Sequence, residues 1–116
     1  MIDFKKTKTL EQRIKESNKM REKYPDRTPI ICQRAQKTTG IPNIDKNKFL
    51  VPHDLTVGQF SYVVRKKLEL APEKAMFLFI NNTIPNTSEL VSTCDKSHRD
   101  EDGFLYITYS SENTFG

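Results

Sequence analysis

With 116 residues, 35% hydrophobic and 29% charged, the chain suits one domain around one core; it is too short for two and lacks any apolar run near the ~20 residues of a membrane-spanning helix. The opening MIDFKKTKTLEQRIKE has no apolar signal segment, so a cytosolic or nuclear location is expected. The two cysteines, Cys32 and Cys94, are then reduced thiols, too few and too far apart for a disulfide framework or a zinc site.

The net charge of +4 is polarised along the chain: residues 1–67 hold sixteen Lys/Arg against seven Asp/Glu, residues 68–116 three against eight. A basic front half attracts nucleic acid, anionic membrane or an acidic peptide, and charge alone selects none of them.

Residues 1–8 read either as a short helix or as a mobile arm, with Phe4 as the aromatic anchor. Thr9 and Gln12 have capping-box spacing, predicting a helix from Leu10 to about Tyr24 that Pro25 ends. Its apolar stripe of Leu10, Ile14, Met20 and Tyr24 is thin, which suits a helix lying on a sheet. A turn at Pro25–Asp26 leads into a strand over Thr28–Arg34, and TTGIPNID is loop.

Phe49, Leu50 and Val51 form a short β-prone run closed by Pro52, the signature of an edge strand. Thr56 and Gln59 make a second capping box, with Leu55 and Phe60 as the staple around it, so a helix starts at Thr56 or Val57. Val57, Phe60, Val64 and Leu68 give it one core face, and Arg65, Lys66 and Lys67 oppose the dipole in its last turn. Ala75–Ile80, a continuous apolar run, is predicted to be the central strand. Asn81–Asn82 suits a turn, Pro85 a short strand, and Thr87 or Ser88 the cap of a small helix reaching about Lys96. After the acidic turn Asp100–Gly103, Phe104–Tyr109 is a last strand.

One sheet wrapped over one long helix is the economical layering of these elements. The expectation is an α+β, ubiquitin-like β-grasp with an N-terminal helical extension: helical segment 1–24, core 25–110, flexible tail 111–116. Its edge strand must be covered, blunted, or used to accept an extended peptide. The flanking Lys46 and Lys48 either discourage aggregation or attract a ligand, and the strand alone leaves both open. Cys94 and His98 share a helix face at i, i+4 but have no third group beside them, so they read as a fortuitous surface pair. His53 reads as a solvated loop residue. No catalytic residues, metal or cofactor are expected.

KYPDRTPIICQRA, DKNKFLVPHDLTVGQF, FINNTIPNTS and DEDGFLYITYSSENTFG together resemble, almost end to end, the ubiquitin-like modifiers of autophagy, of the GABA-receptor-associated protein and light-chain-three type. The resemblance implies a modifier whose C-terminal glycine, here Gly116, is activated by an E1-like enzyme, passed to an E2-like enzyme and joined to phosphatidylethanolamine on autophagic membranes, with a cysteine protease removing it again. It implies a cytoplasmic protein that moves to autophagosomes and onward to the vacuole or lysosome. Glycine suits the chemistry, because without a Cβ its carboxylate passes narrow channels with little hindrance.

The resemblance also implies capture of receptors and adaptors carrying an aromatic-x-x-aliphatic motif, by strand addition at Lys48–Val51. Carried over by position, the aromatic pocket comprises Glu16, Met20, Pro29, Ile31, Lys48, Leu50 and Phe104. The aliphatic pocket comprises Phe49, Val51, Pro52, Leu55, Phe60 and Val63, and Arg27, Lys46, Lys48 and Lys67 meet an acidic flank. Leu50 and Val51 point to opposite sides of a strand, which places the two pockets on different faces of the edge. Met20, Lys67 and Cys94 depart from the commonest family pattern of isoleucine, arginine and an aromatic. The rival reading is an unconjugated scaffold or adaptor binding cytoskeleton, membrane or RNA through Lys5, Lys6, Lys8, Arg13, Lys15 and Lys19. Microtubules are a secondary partner on family grounds. No nucleic acid is expected, since an aromatic stacking platform is missing.

Overall fold

The computed structural model describes residues 3–113. Two N-terminal helices, α1 (Phe4–Thr7) and α2 (Leu10–Lys23), precede strands β1 (Arg27–Arg34) and β2 (Lys48–Pro52) and helix α3 (Val57–Leu68). Strand β3 (Phe77–Phe79), helix α4 (Val91–His98) and strand β4 (Leu105–Ser110) complete the chain. Both capping boxes form: Thr9 and Thr56 each accept from the third helical N–H, and Gln12 and Gln59 each accept from the cap N–H, at 2.9–3.2 Å. The helix after Pro52 therefore starts where the sequence placed it, and it ends at Glu69 in the left-handed region (φ 54°).

The sheet runs β2-β1-β4-β3, with β1 and β4 parallel at its centre and antiparallel strands outside them. This corrects the place given to Ala75–Ile80. Only Phe77–Phe79 pair, with Thr108–Ser110, and they form a margin. The run is apolar because Leu78 and Ile80 enter the same buried cluster as Val57, Phe60 and Val64 of α3, which sequence cannot tell from a central place in the ladder. Around Pro85 there is no strand, only a bridge between Ile80 and Thr83. Asn81 and Asn82 make the expected turn, both at positive φ.

Helix α4 begins at Val91, later than Thr87 or Ser88 would set it, and continues to His98. Its cap, Leu90, offers no side-chain hydrogen bond. Tertiary contacts replace that cap. Val91 N–H donates to Leu55 O (2.8 Å), while Val57 and Gly58 N–H of α3 donate to Glu89 O and Thr87 O (both 2.9 Å), so each helix start is satisfied by the segment leading into the other. Gly58 permits this approach, since a Cβ there would stand 3.2 Å from Thr87 O.

The sheet has a buried layer on each face. Ile30, Cys32, Val51, Phe60, Val64, Leu105 and Ile107 pack on the α3 face; Phe4, Ile31 and Phe104, flanked by Met20 and Tyr106, pack on the other. Phe4 is the anchor of a short helix, its ring meeting Phe104 edge-on at 5.6 Å.

Helix α2 does lie on the sheet, but not by the stripe read from sequence: Leu10 and Tyr24 are exposed, and its buried residues are Arg13 and Ser17. A polar row at i, i+4, i+8 does the docking. Arg13 Nη1 donates to Asp102 Oδ2 (2.7 Å), Ser17 Oγ to Asp102 O, and Arg21 to Gly103 O (2.7 Å) and the Asp95 carboxylate (2.9 Å). Tyr106 OH and Phe104 N–H also donate to Asp102. Gly103 (φ +92°) is required at this joint, because a Cβ would collide with Ser17 Oγ.

Candidate functional site

Among the described residues no strand pairs with the outer margin of β2. Cys32 N–H donates to Asn47 O (2.8 Å) and His53 N–H to Asp26 O (3.1 Å), which fixes the parity of the β1–β2 ladder. Asn47, Phe49 and Val51 therefore turn their peptide groups toward β1, and Lys48 and Leu50 turn theirs outward. Two residues thus present N–H and C=O groups to an incoming chain.

Side chains alternate about this margin. Phe49 and Val51 lie on the α3 face, where Phe49 meets Phe60 edge-on at 5.2 Å. Lys48, opposite Ile31, lies on the α2 face, its Nζ 5.6 Å from the Phe4 ring centroid. The strand residues assigned to the two pockets accordingly divide between the two faces, except Pro52, which alternation puts on the α2 face with Lys48 and Leu50 although it was assigned to the aliphatic pocket. Within the aromatic set, Pro29, Ile31 and Phe104 are fully buried and form floor, whereas Glu16, Met20, Lys48 and Leu50 are accessible rim. Within the aliphatic set, Val51 and Phe60 are buried, while Phe49, Pro52, Leu55 and Val63 are accessible.

Leu55 and Val63 also wall an open depression of about 530 Å³ that continues across α3 over Thr56, Gly58, Gln59 and Tyr62 to Thr87 and Ser88. Sequence reading missed this extension. Its one signal is Tyr62, a large aromatic off the apolar stripe and 60% exposed.

The charges are arranged unequally. Glu16 binds both Lys48 and Lys8, the latter at 2.8 Å, across the rim of the aromatic pocket. Partial burial works to raise the Glu16 carboxyl, but hydrogen bonds from Lys48 and Lys8 outweigh it and hold the group below the usual carboxylate range. Lys67 Nζ lies 5.9 Å from the Phe49 ring, so α3 delivers its last turn to the beginning of β2, where Lys46 and Lys48 stand. Arg27 does not join them: it pairs with Pro52, at the other end of the strand. Of the basic N-terminal set, Lys5, Lys8 and Arg13 are engaged by Asp100, Glu16 and Asp102.

Cys94 and His98 do share α4, but Cys94 is 1% exposed, which corrects the reading of a surface pair. Burial pushes its thiol up to about 11, and it pushes the Cys32 thiol up as well. His98 Nδ1 is paired with the Asn81 amide (2.9 Å), and His53 is exposed in its turn. Among the described residues no group of three or more His, Cys, Asp and Glu is placed to hold a metal, and no helix is long and apolar enough to cross a membrane. Gly116 lies outside the described residues.

A four-stranded mixed sheet over one long helix, with two further helices on its back, is the ubiquitin-like β-grasp with an N-terminal helical extension. The chain belongs to the Atg8 family of ubiquitin-like autophagy proteins: the family model "Autophagy protein Atg8 ubiquitin like" matches residues 12–116. Autophagy-related protein 8 of Mycosarcoma maydis is 56% identical over 113 residues, 97% of this chain and 95% of that protein. Autophagy-related protein 8a of Arabidopsis thaliana is 58% identical over 113 residues, 97% and 92% of the two chains. The crystal structure of Trypanosoma brucei ATG8 superposes with a TM-score of 0.91 at 44% identity, covering 100% of this chain and 99% of that one. Plasmodium falciparum Atg8 in complex with a P. falciparum Atg3 peptide superposes at 0.90 with 35% identity, covering 99% and 100%.

Proposed function

We propose that the chain is a modifier, not an enzyme. It is joined through Gly116 to phosphatidylethanolamine by E1-like and E2-like enzymes, is released by a cysteine protease, and recruits autophagy receptors and adaptors to the membrane that carries it. It works in the cytoplasm and, once lipidated, on autophagosomes.

The observation that carries the recruiting half is the unpaired outer margin of β2 between clefts on opposite faces of the sheet. A peptide adding there runs parallel to β2, because the aromatic cleft lies at Lys48 and Leu50 and the aliphatic one further along, at Val51 and Leu55. Its residue facing Phe49 donates to Lys48 O and accepts from Leu50 N–H. The aromatic side chain then stands beside Lys48 and the aliphatic one beside Val51. Strand alternation sends residues separated by an odd number of positions to opposite faces, so an aromatic-x-x-aliphatic spacing fits both clefts at once. Lys46, Lys48 and Lys67 attract acidic residues preceding the aromatic. A solved relative holding an Atg3 peptide supports peptide capture by this fold.

Incubation with ATP, E1-like and E2-like enzymes and phosphatidylethanolamine liposomes tests the conjugating half: wild type shifts to a lipidated band and Gly116→Ala does not. Equal lipidation of the two, or none of wild type, refutes it. For the groove, Lys48→Glu with Leu50→Ala loses affinity for an acidic aromatic-x-x-aliphatic peptide in calorimetry while lipidation persists. Unchanged affinity in that folded variant refutes the groove.

A further inference from the structure

The loop that joins β1 to β2 also holds the end of the last strand. Tyr109 OH donates to Pro42 O (2.7 Å), Ala35 N–H donates to Tyr109 O (2.8 Å), and Ile41 and Ile44 are buried in the core. Arg34 Nη1 braces the loop from within, donating to Thr38 O (3.3 Å) and Ile41 O (3.2 Å). Thr38 is buried, and its hydroxyl accepts from Ser110 Oγ and from Ser111 N–H, both at 3.0 Å. Ser111 Oγ gives its one proton to Thr39 O (2.7 Å), so Thr38 is the donor in the 2.8 Å contact between the Thr38 and Ser111 hydroxyls. Ser110 Oγ, its proton given to Thr38, accepts from Glu112 N–H (3.1 Å). The Thr38 hydroxyl is thereby used to capacity, with one bond donated and two accepted.

This clasp lies at the root of the tail. Gly116 follows Ser111 by five residues, a reach of at most about 17 Å. On the modifier reading, an enzyme that receives the Gly116 carboxyl works within that radius of a point that Thr38 holds still. We infer that Thr38 is a positioning residue for conjugation: by fixing where and in which direction the chain leaves the fold, it lowers the entropy lost when the carboxyl enters an enzyme site. The inference rests on the modifier reading. The step concerned is adenylation, in which a carboxylate oxygen of Gly116 bonds the α-phosphorus of ATP and pyrophosphate leaves. Thr38→Val keeps nearly the same volume but offers no hydroxyl, so Ser110 Oγ and Ser111 N–H lose their acceptor and Ser111 Oγ its donor, while the pairing of Ser110 with Phe77 stays. One more residue of backbone is then ordered at the enzyme instead of beforehand, which slows the step about fivefold, the lower end of what fixing one residue is worth.

The test uses the full chain in two measurements: pyrophosphate exchange with an E1-like enzyme and ATP as the chain's concentration varies, and amide hydrogen exchange on the chain alone. Thr38→Val lowers kcat about fivefold with KM within about twofold of wild type. Ser111→Ala, which keeps its N–H bond to Thr38, lowers kcat less, and Thr38→Ser, which keeps the hydroxyl, matches wild type. The Ser111 amide exchanges about tenfold faster in Thr38→Val than in wild type, as loss of its hydrogen bond supplies. A merely structural defect reads differently, because a partly unfolded variant offers fewer competent molecules and raises the apparent KM at unchanged kcat. That pattern, equal kcat in wild type and Thr38→Val, a Thr38→Ser variant as slow as Thr38→Val, or a wild-type Ser111 amide that already exchanges at the free-peptide rate overturns the inference. Where Thr38→Val does not fold, a kcat of Ser111→Ala equal to wild type overturns it instead. If wild type is not adenylated although its Ser111 amide is protected, the modifier reading itself fails and the inference falls with it.

Discussion

Replacing Asp102 tests whether polar contacts hold α2 to the sheet. The Asp102 side chain is 0% exposed and that of its partner Arg13 11%, so their pairing is nearly free of solvent screening. Its carboxylate also accepts from Tyr106 OH and Phe104 N–H. Asp102→Ala leaves a guanidinium, a phenol and a peptide N–H without their acceptor, a loss of the kind that removes ~3–5 kcal/mol when one member of a buried pair is deleted. Asp102→Asn keeps one acceptor oxygen and the volume, and should lose only ~1–3 kcal/mol. Against a total of ~5–15 kcal/mol, the alanine variant loses a large fraction of the stability and more than ~10 °C in Tm.

Urea unfolding followed by circular dichroism gives both differences, and a cycle with Arg13→Ala gives the coupling between the two side chains. Because α2 carries Glu16 and Met20, the alanine variant should also bind a motif peptide more weakly at urea concentrations where it is still folded. Losses below ~1 kcal/mol for both variants, or no coupling with Arg13, would show that apolar contacts hold this helix and that the polar row is incidental.

The Glu16 carboxyl, held below its ordinary range, contributes stability that is complete above the unfolded carboxylate value of ~4.3 and is lost as pH falls through the lower folded value. Wild type and Glu16→Gln should therefore differ in urea midpoint at pH 7 and converge in strong acid; a constant gap would contradict the assignment. Gly103→Ala forces an alanine into positive φ against Ser17 Oγ and should lose ~2 kcal/mol or more in the same unfolding assay, whereas Gly40→Ala meets nothing within 4 Å and should lose only the backbone part. Cys32 and Cys94, both buried, should react with a thiol reagent only at the rate of unfolding; rapid native-state modification of Cys94 would show that α4 opens readily.

The sequence was most informative where the information is local. Both capping boxes and the stop at Pro52 could be read because a helix start needs its partner only three residues away. The edge character of Lys48–Pro52 followed from the same stretch. Long-range matters were illegible: Ala75–Ile80 looked central because burial of Leu78 and Ile80 against α3 writes the same apolar run as a place inside a ladder. The docking face of α2 was hidden because Arg13, Ser17 and Arg21 look like solvated residues until Asp102, Gly103 and Asp95 are set opposite them. Thr87 and Ser88 pointed to too early a start for α4, because its actual start at Val91 is satisfied by Leu55 O from across the fold. Arg27 was grouped with the lysines through the family resemblance, and only the register with Pro52 sets it at the other end of the strand from them.

The parallel pairing of β1 with β4 joins Ile30 to Leu105, so the middle of the sheet closes only when nearly the whole chain has been made. Such distant partners favour slow closure. A polypeptide still being synthesised cannot complete the open margin of its sheet, since β2 hangs on β1 and β1 on the last strand. On the modifier reading proposed above, a molecule offered to a conjugating enzyme by its carboxyl terminus has already released the strand that finishes the sheet, so order of manufacture would favour attachment of copies able to fold.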